Sequence, residues 1–376
     1  MVRAKHSKQK DKTRSISAFV ATIVIVVLAF TIFLYRDKLS PSSLGAASED
    51  KTKTISGSEP FTYENGSKQI FTLVGDDLAI ASTTGLQLLD SEGNTISRDV
   101  FSMVNPAVSS NGDYCAFFDV GGKSLRLYKN GTGTVIDRDS VITTVSVNSS
   151  GYFAVAGEEA GYKGSVIVYN SELNPIYKWY SGSGYVLDAA VSPDNSMLAV
   201  LCVSASGSDI HILRLTDEKE VTSVTIPNEL AFKLSYSKSG NIYALSEKAI
   251  HFFSDSGKDI STYSFEDNYL VNYVIGEDFF AVVLSKYVSG SGISLMSFGS
   301  DGKVLGSIPL ESEPLSLFSQ KQKLLVLDGS GVALYNNDLR LQKQNHVVPG
   351  FISAVLMPRG EVLLLSSHYG EKCKFS

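Results

Sequence analysis

Residues 161–201, GYKGSVIVYNSELNPIYKWYSGSGYVLDAAVSPDNSMLAVL, contain one complete unit of a repeat. An apolar strand, SVIVYN (165–170), ends in a polar hairpin, and a further strand with Trp179 follows it. An alternating strand then leads through the turn SPDN (192–195) into the apolar strand MLAVL (197–201). Short apolar runs bounded by turn residues indicate antiparallel β-strands. Each unit therefore predicts a four-stranded sheet.

The strand MLAVL recurs along the chain from about residue 59 onward. Successive copies begin 36 to 45 residues apart, which is the usual length of a four-stranded propeller blade. The copies are LAIAS (78–82), YCAFF (114–118), YFAVA (152–156), MLAVL (197–201), IYALS (242–246), FFAVVL (279–284), KLLVL (323–327) and EVLLL (361–365). The spacing predicts an all-β fold, a β-propeller that occupies residues 59–376.

The two ends of the repeat array decide the number of blades. Eight second strands are present, but the last repeat ends at CKF (373–375) and an unassigned apolar stretch, PFTY (60–63), precedes the first repeat. A propeller must join its first and last blades, or sheet edges stay exposed. We expect the last blade to take its outer strand from the N-terminal side, which gives eight blades. Seven blades remain the alternative, if the segment 60–82 and the final strands form one blade together.

Polar turns precede most of the second strands. Glycine, Asn, Asp and Ser in such turns supply positive φ angles or side-chain caps, so each turn predicts a hairpin between the first and second strands of a blade. The turns are SSNGD (109–113), NSSG (148–151), SPDN (192–195), SKSG (237–240) and MPRG (357–360).

A membrane segment is predicted before the repeats. Residues Ile16 to Tyr35 contain no charge, and twenty helical residues cross a hydrocarbon core of about 30 Å. Six Lys or Arg residues precede this segment, which indicates that the N-terminus stays inside. We therefore expect a basic cytoplasmic tail (1–15), one transmembrane helix (16–35) in the cytoplasmic membrane, a flexible linker (36–58) and a propeller outside. A cleaved signal peptide is the alternative.

Charge and cysteine content narrow the function classes. Residues 1–36 carry seven Lys or Arg against one Asp, although the whole chain has a net charge of −6. The remainder is therefore acidic, which argues against nucleic acid as a partner.

Cys115, Cys202 and Cys373 have no framework spacing, so we expect buried thiols in strands.

The repeats resemble known propeller families. Turns such as SPDN before MLAVL are similar to WD40 repeats, without the Gly-His and Trp-Asp signatures, and residues 165–179 resemble a quinoprotein-type repeat. Residues 161–201 and the plan of the whole chain resemble an uncharacterised family of Gram-positive, Clostridia-type bacteria. Its members combine a basic tail, one helix and a propeller. The resemblance implies this architecture and no assigned activity.

Catalytic and metal-binding motifs are weak. His211 and His251 occupy equivalent positions in neighbouring third strands, but other repeats place Gln, Arg or Ala there, so we expect no metal and no cofactor. The sequence has no G-x-S-x-G triad pattern and no P-loop. This favours a non-enzymatic binding or scaffolding module that engages a protein, peptide or cell-wall ligand. A hydrolase or lyase with a channel site is the alternative, and three or more acidic or histidine side chains at the channel mouth would favour it.

Loop lengths point to one face of the propeller. The loops between second and third strands at 157–164, 202–208 and 285–291 are longer than the others, and they open on the same face as the connection at 180–185. Tyrosine offers a large binding surface with little conformational entropy to lose. The predicted binding residues are Tyr162, Lys163, Tyr180, Tyr185, Lys286 and Tyr287. The alternative is that they are ordinary loop residues, with Tyr180 and Tyr185 packed between blades.

The charge asymmetry around residues 16–35 generates a topology prediction. Protease added outside intact protoplasts should digest the chain beyond about residue 40, because the positive tail stays inside. The fragments are measured by immunoblot with a tag at the C-terminus. Protection of the propeller would contradict this orientation, and a mature N-terminus after Ala47 would show cleavage.

Overall fold

The computed structural model describes residues 60–129, 132–217, 219–373 and 375. These residues form eight four-stranded antiparallel sheets, each joined to the next along the chain. Seven sheets are made of four consecutive strands, and the eighth combines the last three strands with the first strand of the chain. The predicted eight-bladed propeller with a mixed closing blade is confirmed, and the seven-bladed alternative is wrong.

The strands are numbered in chain order, and the four strands of each blade are called a to d from the central channel outward. Blades 1 to 4 consist of β2 (Ile70–Val74), β3 (Asp77–Ser82), β4 (Gly85–Leu89), β5 (Thr95–Val100); β6 (Pro106–Asn111), β7 (Tyr114–Asp119), β8 (Ser124–Lys129), β9 (Thr132–Asp137); β10 (Ile142–Val147), β11 (Phe153–Gly157), β12 (Gly164–Tyr169), β13 (Pro175–Ser181); β14 (Tyr185–Val191), β15 (Met197–Ser204), β16 (Gly207–Arg214) and β17 (Glu220–Pro227).

Blades 5 to 8 consist of β18 (Ala231–Tyr236), β19 (Ile242–Ser246), β20 (Ala249–Phe253), β21 (Asp259–Ser264); β22 (Tyr269–Ile275), β23 (Phe279–Ser285), β24 (Ile293–Gly299), β25 (Val304–Leu310); β26 (Ser316–Gln320), β27 (Lys323–Leu327), β28 (Gly331–Asn336), β29 (Leu341–His346); β30 (Ser353–Leu356), β31 (Val362–Leu365), β32 (Tyr369–Cys373) and, as the outer strand, β1 (Phe61–Thr62).

The predicted basic tail, transmembrane helix and linker, residues 1–58, lie outside the described residues. Within the ranges that are described, no helix is long and apolar enough to cross a membrane.

Burial explains why the second strands were the clearest sequence signal. Every residue of β11, β19 and β23 is buried, because these strands lie between neighbouring blades and continuous apolar sequence suits burial on both faces. The outer strand β13 instead alternates exposed and half-buried residues. The three cysteines are free and buried in β7, β15 and β32, as predicted.

The predicted polar turns adopt the backbone conformation that their composition indicates. Gly112, Gly151, Asn195, Gly240 and Gly360 all have positive φ angles, between 61° and 92°. Antiparallel strands place the a–b and c–d turns on one face of the propeller, here called the turn face. The b–c loops and the d–a connections lie on the opposite face, here called the loop face.

The hydrophobic core is a ring of blade junctions. Each of eight buried clusters combines side chains from two neighbouring blades. Leu198 and Val200 of blade 4, for example, pack against Val166 and Val168 of blade 3. Burial of one such side chain contributes roughly 1.5–3 kcal/mol. No blade can bury its apolar faces alone, so stability depends on the closed ring.

The closing blade is secured by a short strand and one tyrosine. Phe61 and Thr62 pair with Gly370 and Tyr369, and the buried Tyr63 hydroxyl lies 2.7 Å from the Ser366 carbonyl oxygen. Tyr63 also packs between Leu73 of blade 1 and the side chains of blade 8. The N-terminal segment therefore joins the first and last blades.

A buried ion pair connects the inner strands of blades 4 and 5. The Lys233 Nζ lies 2.7 Å from Oδ2 of Asp188, whose side chain is 2% exposed. Asp188 also accepts hydrogen bonds from the Leu234 and Ala189 amides and from the Thr144 hydroxyl. Burial alone would lower the pKa of Lys233, but the Asp188 carboxylate outweighs burial and raises that pKa. The carboxylate is thus a structural hub at the channel wall.

Removal of the closing contacts should destabilise the whole propeller. Deletion of residues 59–64, or of Glu371–Ser376, leaves two blade edges unpaired, and Tyr63→Phe should cost about 1–3 kcal/mol because it orphans buried acceptors. Tyr236→Phe is the control, because the Tyr236 hydroxyl has no partner among the described residues. Thermal unfolding of the full chain measures the effect of each deletion and each substitution, and Tyr236→Phe should change the midpoint less than Tyr63→Phe. An unchanged midpoint after either deletion would contradict the closing-blade geometry.

Loss of the Asp188 countercharge should be costly. Asp188→Asn should reduce the free energy of unfolding by about 3 kcal/mol at pH 7, since it leaves a largely buried ammonium unpaired. Glu277→Gln is the control, because the Lys238–Glu277 pair is exposed and should contribute at most about 1 kcal/mol. Because the folded-state pKa of Lys233 is raised, its contribution is present at neutral pH and lost as the pH rises through that value. Denaturant titration that gave equal costs for both variants would refute the role of the pair.

Candidate functional site

Four of the six predicted binding residues come together where blades 3 and 4 meet on the loop face. The rings of Tyr162 and Tyr180 stack with centroids 4.5 Å apart. The Lys163 Nζ lies 3.3 Å from the Tyr185 hydroxyl, and the Lys163 amide donates to the Ser181 carbonyl at 2.8 Å. The b–c loop of blade 3 is thereby attached to the connection that leads into blade 4. We call Tyr162, Lys163, Tyr180 and Tyr185 the tyrosine cluster.

The tyrosine cluster is exposed and carries charge at its edge. Tyr162, Tyr180 and Tyr185 are 51%, 39% and 58% exposed, so neither Tyr180 nor Tyr185 is buried between blades, and a binding role for these residues stays a prediction. Lys178 approaches Glu159 at 3.3 Å and lies over the Tyr180 ring. Contact with Tyr180 first, and then with Glu159, raises the pKa of Lys178. The cluster can therefore offer aromatic surface together with hydrogen-bond donors.

Lys286 and Tyr287 form a separate pair in the b–c loop of blade 6. The Lys286 Nζ lies 5.8 Å from the centre of the Tyr287 ring, and blade 5 separates this pair from blade 4. The structure thus places all six residues on the loop face without making one cluster of them.

One of the three long loops was predicted wrongly. Residues 202–208 continue β15 and β16, with Cys202 paired to Asp209 and Ser204 paired to Gly207. Only Ala205 and Ser206 remain as a turn, because Gly207 adopts a φ of 134° that allows the tight reversal. The loops after β11 and β23 are long, as expected.

The loop face carries far more exposed apolar surface than the six residues suggested. Large exposed apolar side chains of the described residues lie on this face or on the outer strands, and none lies in an a–b or c–d turn. Those on the loop face are Val100, Val104, Val120, Tyr162, Tyr180, Tyr185, Leu230, Phe232, Tyr269, Tyr287, Val288, Leu315, Val348 and Ile352. The concentration of these side chains on one face favours an interaction surface there.

Several of these residues lie where the inner strands begin. Loop length alone does not predict them. Leu230, Tyr269, Leu315 and Ile352 begin or immediately precede the inner strands of blades 5 to 8, so they lie along one half of the channel opening. Phe232 is exposed because β18 contains a bulge between Ala231 and Lys233, and bulges redirect side chains. An alignment of the first strands would have shown the recurring apolar residue.

A cavity of about 1040 Å³ occupies the channel and opens toward the turn face. It is lined by the C-terminal parts of the inner strands and by polar turn residues. Most hydroxyl groups of these strands connect neighbouring blades: Ser109 accepts from the Val147 amide at 3.1 Å, and Ser319 donates to the Ile275 carbonyl at 2.7 Å. The lining groups thus serve mainly the packing of the ring.

Acidic side chains border the cavity at the turn face. The residues that line it include Asp76, Asp77, Asp113 and Glu277. Three or more acidic side chains at the channel mouth are the feature that would favour an enzyme. Burial, and then the nearby Asp76 and Asp90, raise the pKa of Asp77. However, Glu277 is paired with Lys238 at 3.3 Å. Nowhere in the described ranges do three His, Cys, Asp or Glu side chains converge as a metal site would require.

The two aligned histidines belong to different blades and have separate partners. His211 contacts Glu220 at 3.1 Å, whereas His251 contacts Glu229 at 3.0 Å and Thr262 at 3.1 Å. Burial alone would raise the pKa of Glu229, but hydrogen bonds from Ser246 and His251 outweigh burial and lower it. Glu229 thereby holds the connection that presents Leu230 and Phe232.

Comparison with solved structures supports the fold. BamB from Moraxella catarrhalis matches 83% of this chain over 100% of its own, at 12% identity and a TM-score of 0.50. The match to the C-terminal WD40 domain of Sif2 covers 84% of this chain and 99% of that domain's chain, at 13% identity and a TM-score of 0.56. The match to the dihydro-heme d1 dehydrogenase NirN covers 80% of this chain and 70% of the NirN chain, at 13% identity and a TM-score of 0.56. At such identities the likeness shows the propeller fold alone.

Sequence comparison identifies the family. No curated protein sequence matches the chain. The expected likeness to WD40-type propellers and the expected lack of an assigned family activity are confirmed, whereas the membrane anchor and the bacterial origin stay predictions. Residues 50–347 match the model of a family of unknown function, DUF5711, and the chain belongs to that family.

Proposed function

We propose that this protein is a membrane-anchored binding or scaffolding module whose propeller lies outside the cytoplasmic membrane and engages a partner through the loop face. The observation that carries the proposal is the unequal distribution of exposed apolar side chains. Tyr185, Tyr269, Leu315 and Ile352 are each close to half exposed on the loop face, while the turns of the opposite face are polar. Large apolar side chains that face water reduce solubility. A partner that covers the loop face would explain why they are found there.

The direction of β1 gives the side on which the described chain enters the closing blade. β1 runs antiparallel to β32, and the Tyr63 amide reaches the His368 carbonyl, in a b–c loop, at 3.0 Å. The chain therefore runs toward the loop face along β1, and Pro60 precedes it on the turn-face side. The described chain therefore enters the propeller on the face opposite the loop face.

A second candidate function is a hydrolase or lyase at the turn-face mouth of the channel. It is favoured by the raised pKa of Asp77 close to Asp76 and Asp90, since unequal carboxyl groups can act as acid and base. The binding module accounts for more of the structure, because the enzyme leaves the apolar loop face unexplained and Glu277 is already ion-paired.

Cross-linking in living cells tests the proposed function. A photoreactive residue placed at Tyr185 or Tyr269 of the full chain should give a discrete adduct, and one placed at Asp194 or Asp255 in the turns should not. Replacing Tyr162, Lys163, Lys286 and Tyr287 together with Ser or Ala should weaken the adduct, while the control Ile176→Ser with Val221→Ser, exposed on outer strands, should leave it unchanged. Adducts only from the turn face would overturn the proposal.

A further inference from the structure

The loop face above blade 6 combines exposed apolar side chains with negative charge. Two d–a connections flank this blade, at 265–268 and 311–315, and its own b–c loop spans 286–292. We call Glu266, Asp267, Tyr269, Tyr287, Val288, Glu311, Glu313 and Leu315 the blade-6 patch. Val288 is 82% exposed at the tip of the b–c loop, the highest exposure among the large apolar side chains of the described residues.

Local structure holds these side chains toward solvent. Phe265 is fully buried, and the Asn268 amide donates to its carbonyl oxygen at 3.0 Å, so the turn between them projects Glu266 and Asp267 outward. In the b–c loop, the Ser285 hydroxyl lies 2.7 Å from the Tyr287 carbonyl oxygen and 3.1 Å from the Ser291 carbonyl oxygen, and its single proton can be donated to either. These hydrogen bonds hold the turn at 265–268 and the b–c loop at 286–292 in place.

The four acidic side chains of the patch have no ion-pair partner within the described residues. Glu266, Asp267, Glu311 and Glu313 take part in no ion pair there. Lys286 is the cation of the adjoining b–c loop, and it lies over the Tyr287 ring. Four carboxylates without an ion-pair partner are complementary in charge to a cationic partner.

We propose that the blade-6 patch binds a basic polypeptide segment that carries large apolar side chains. This inference rests on the proposed function, and it selects one partner class for the loop face. Lysine or arginine side chains pair with the four carboxylates, and apolar side chains pack against Tyr269, Val288 and Leu315. Electrostatic complementarity of this kind sets the choice of partner and the rate of association. The same charge repels anionic wall polymers.

Peptide binding to the full chain in nanodiscs of uncharged lipid tests the proposal. The probe is a fluorescent peptide that alternates Lys and Leu, compared with one that alternates Glu and Leu and one that alternates Lys and Ser. The Lys-Leu probe should bind most tightly. The variant Glu266→Gln, Asp267→Asn, Glu311→Gln, Glu313→Gln should weaken it about tenfold, as expected for several exposed charge pairs.

The matched control removes the same charge from the turn face with Asp113→Asn, Glu172→Gln, Asp255→Asn and Asp278→Asn, and it should leave binding unchanged. Tyr287→Ser with Val288→Ser should weaken the Lys-Leu probe but not the Lys-Ser probe. Equal weakening by both charge variants would show binding to net charge alone and would overturn the inference. If loop-face cross-links persist in cells while the patch variant binds the probe normally, the basic-segment inference fails and the proposed function stands.

Discussion

Packing of each blade against its two neighbours is the interaction on which the rest of the structure depends. The second and third strands bury apolar side chains on both faces, and each of the eight clusters joins two blades. A single sheet of this composition would expose both faces to water. The ring must therefore close, and a two-residue strand with Tyr63 completes the last junction. The Asp188–Lys233 pair adds a specific contact within the channel wall.

The difference between the two faces follows from this architecture. The turns of the turn face need Gly, Asn and Asp for their backbone angles, so that face is polar whatever the function. The b–c loops and d–a connections have fewer conformational demands and can vary in length and composition. Exposed tyrosine, leucine and valine have accumulated there, along with the carboxylates of the blade-6 patch. Fold constraints do not require these residues, which is why they support a binding role.

Much of the fold was predictable from sequence, because the buried second strands recur at a regular spacing. The Gly and Asn residues of the preceding turns also predict where the backbone adopts positive φ angles. The mixed closing blade followed from counting strands at the two ends. The loop at 202–208 was not predictable, since extending β15 and β16 depends on pairing between Cys202 and Asp209. The gathering of the tyrosine cluster depends on the hydrogen bond from Lys163 to Ser181, which spacing alone does not reveal. The apolar residues at the inner-strand starts lie outside the second and third strands, which carry the repeat pattern that predicts the fold.

The central claim is that the loop face is occupied in the cell. Hydroxyl-radical footprinting of the full chain, in intact cells and after purification, measures this most directly. The account predicts that Tyr185, Tyr269 and Tyr287 are labelled several-fold less in cells, while the outer-strand residues Ile176 and Val221 are labelled equally in both preparations. Equal labelling of the loop-face tyrosines in cells and in the purified protein would contradict the account.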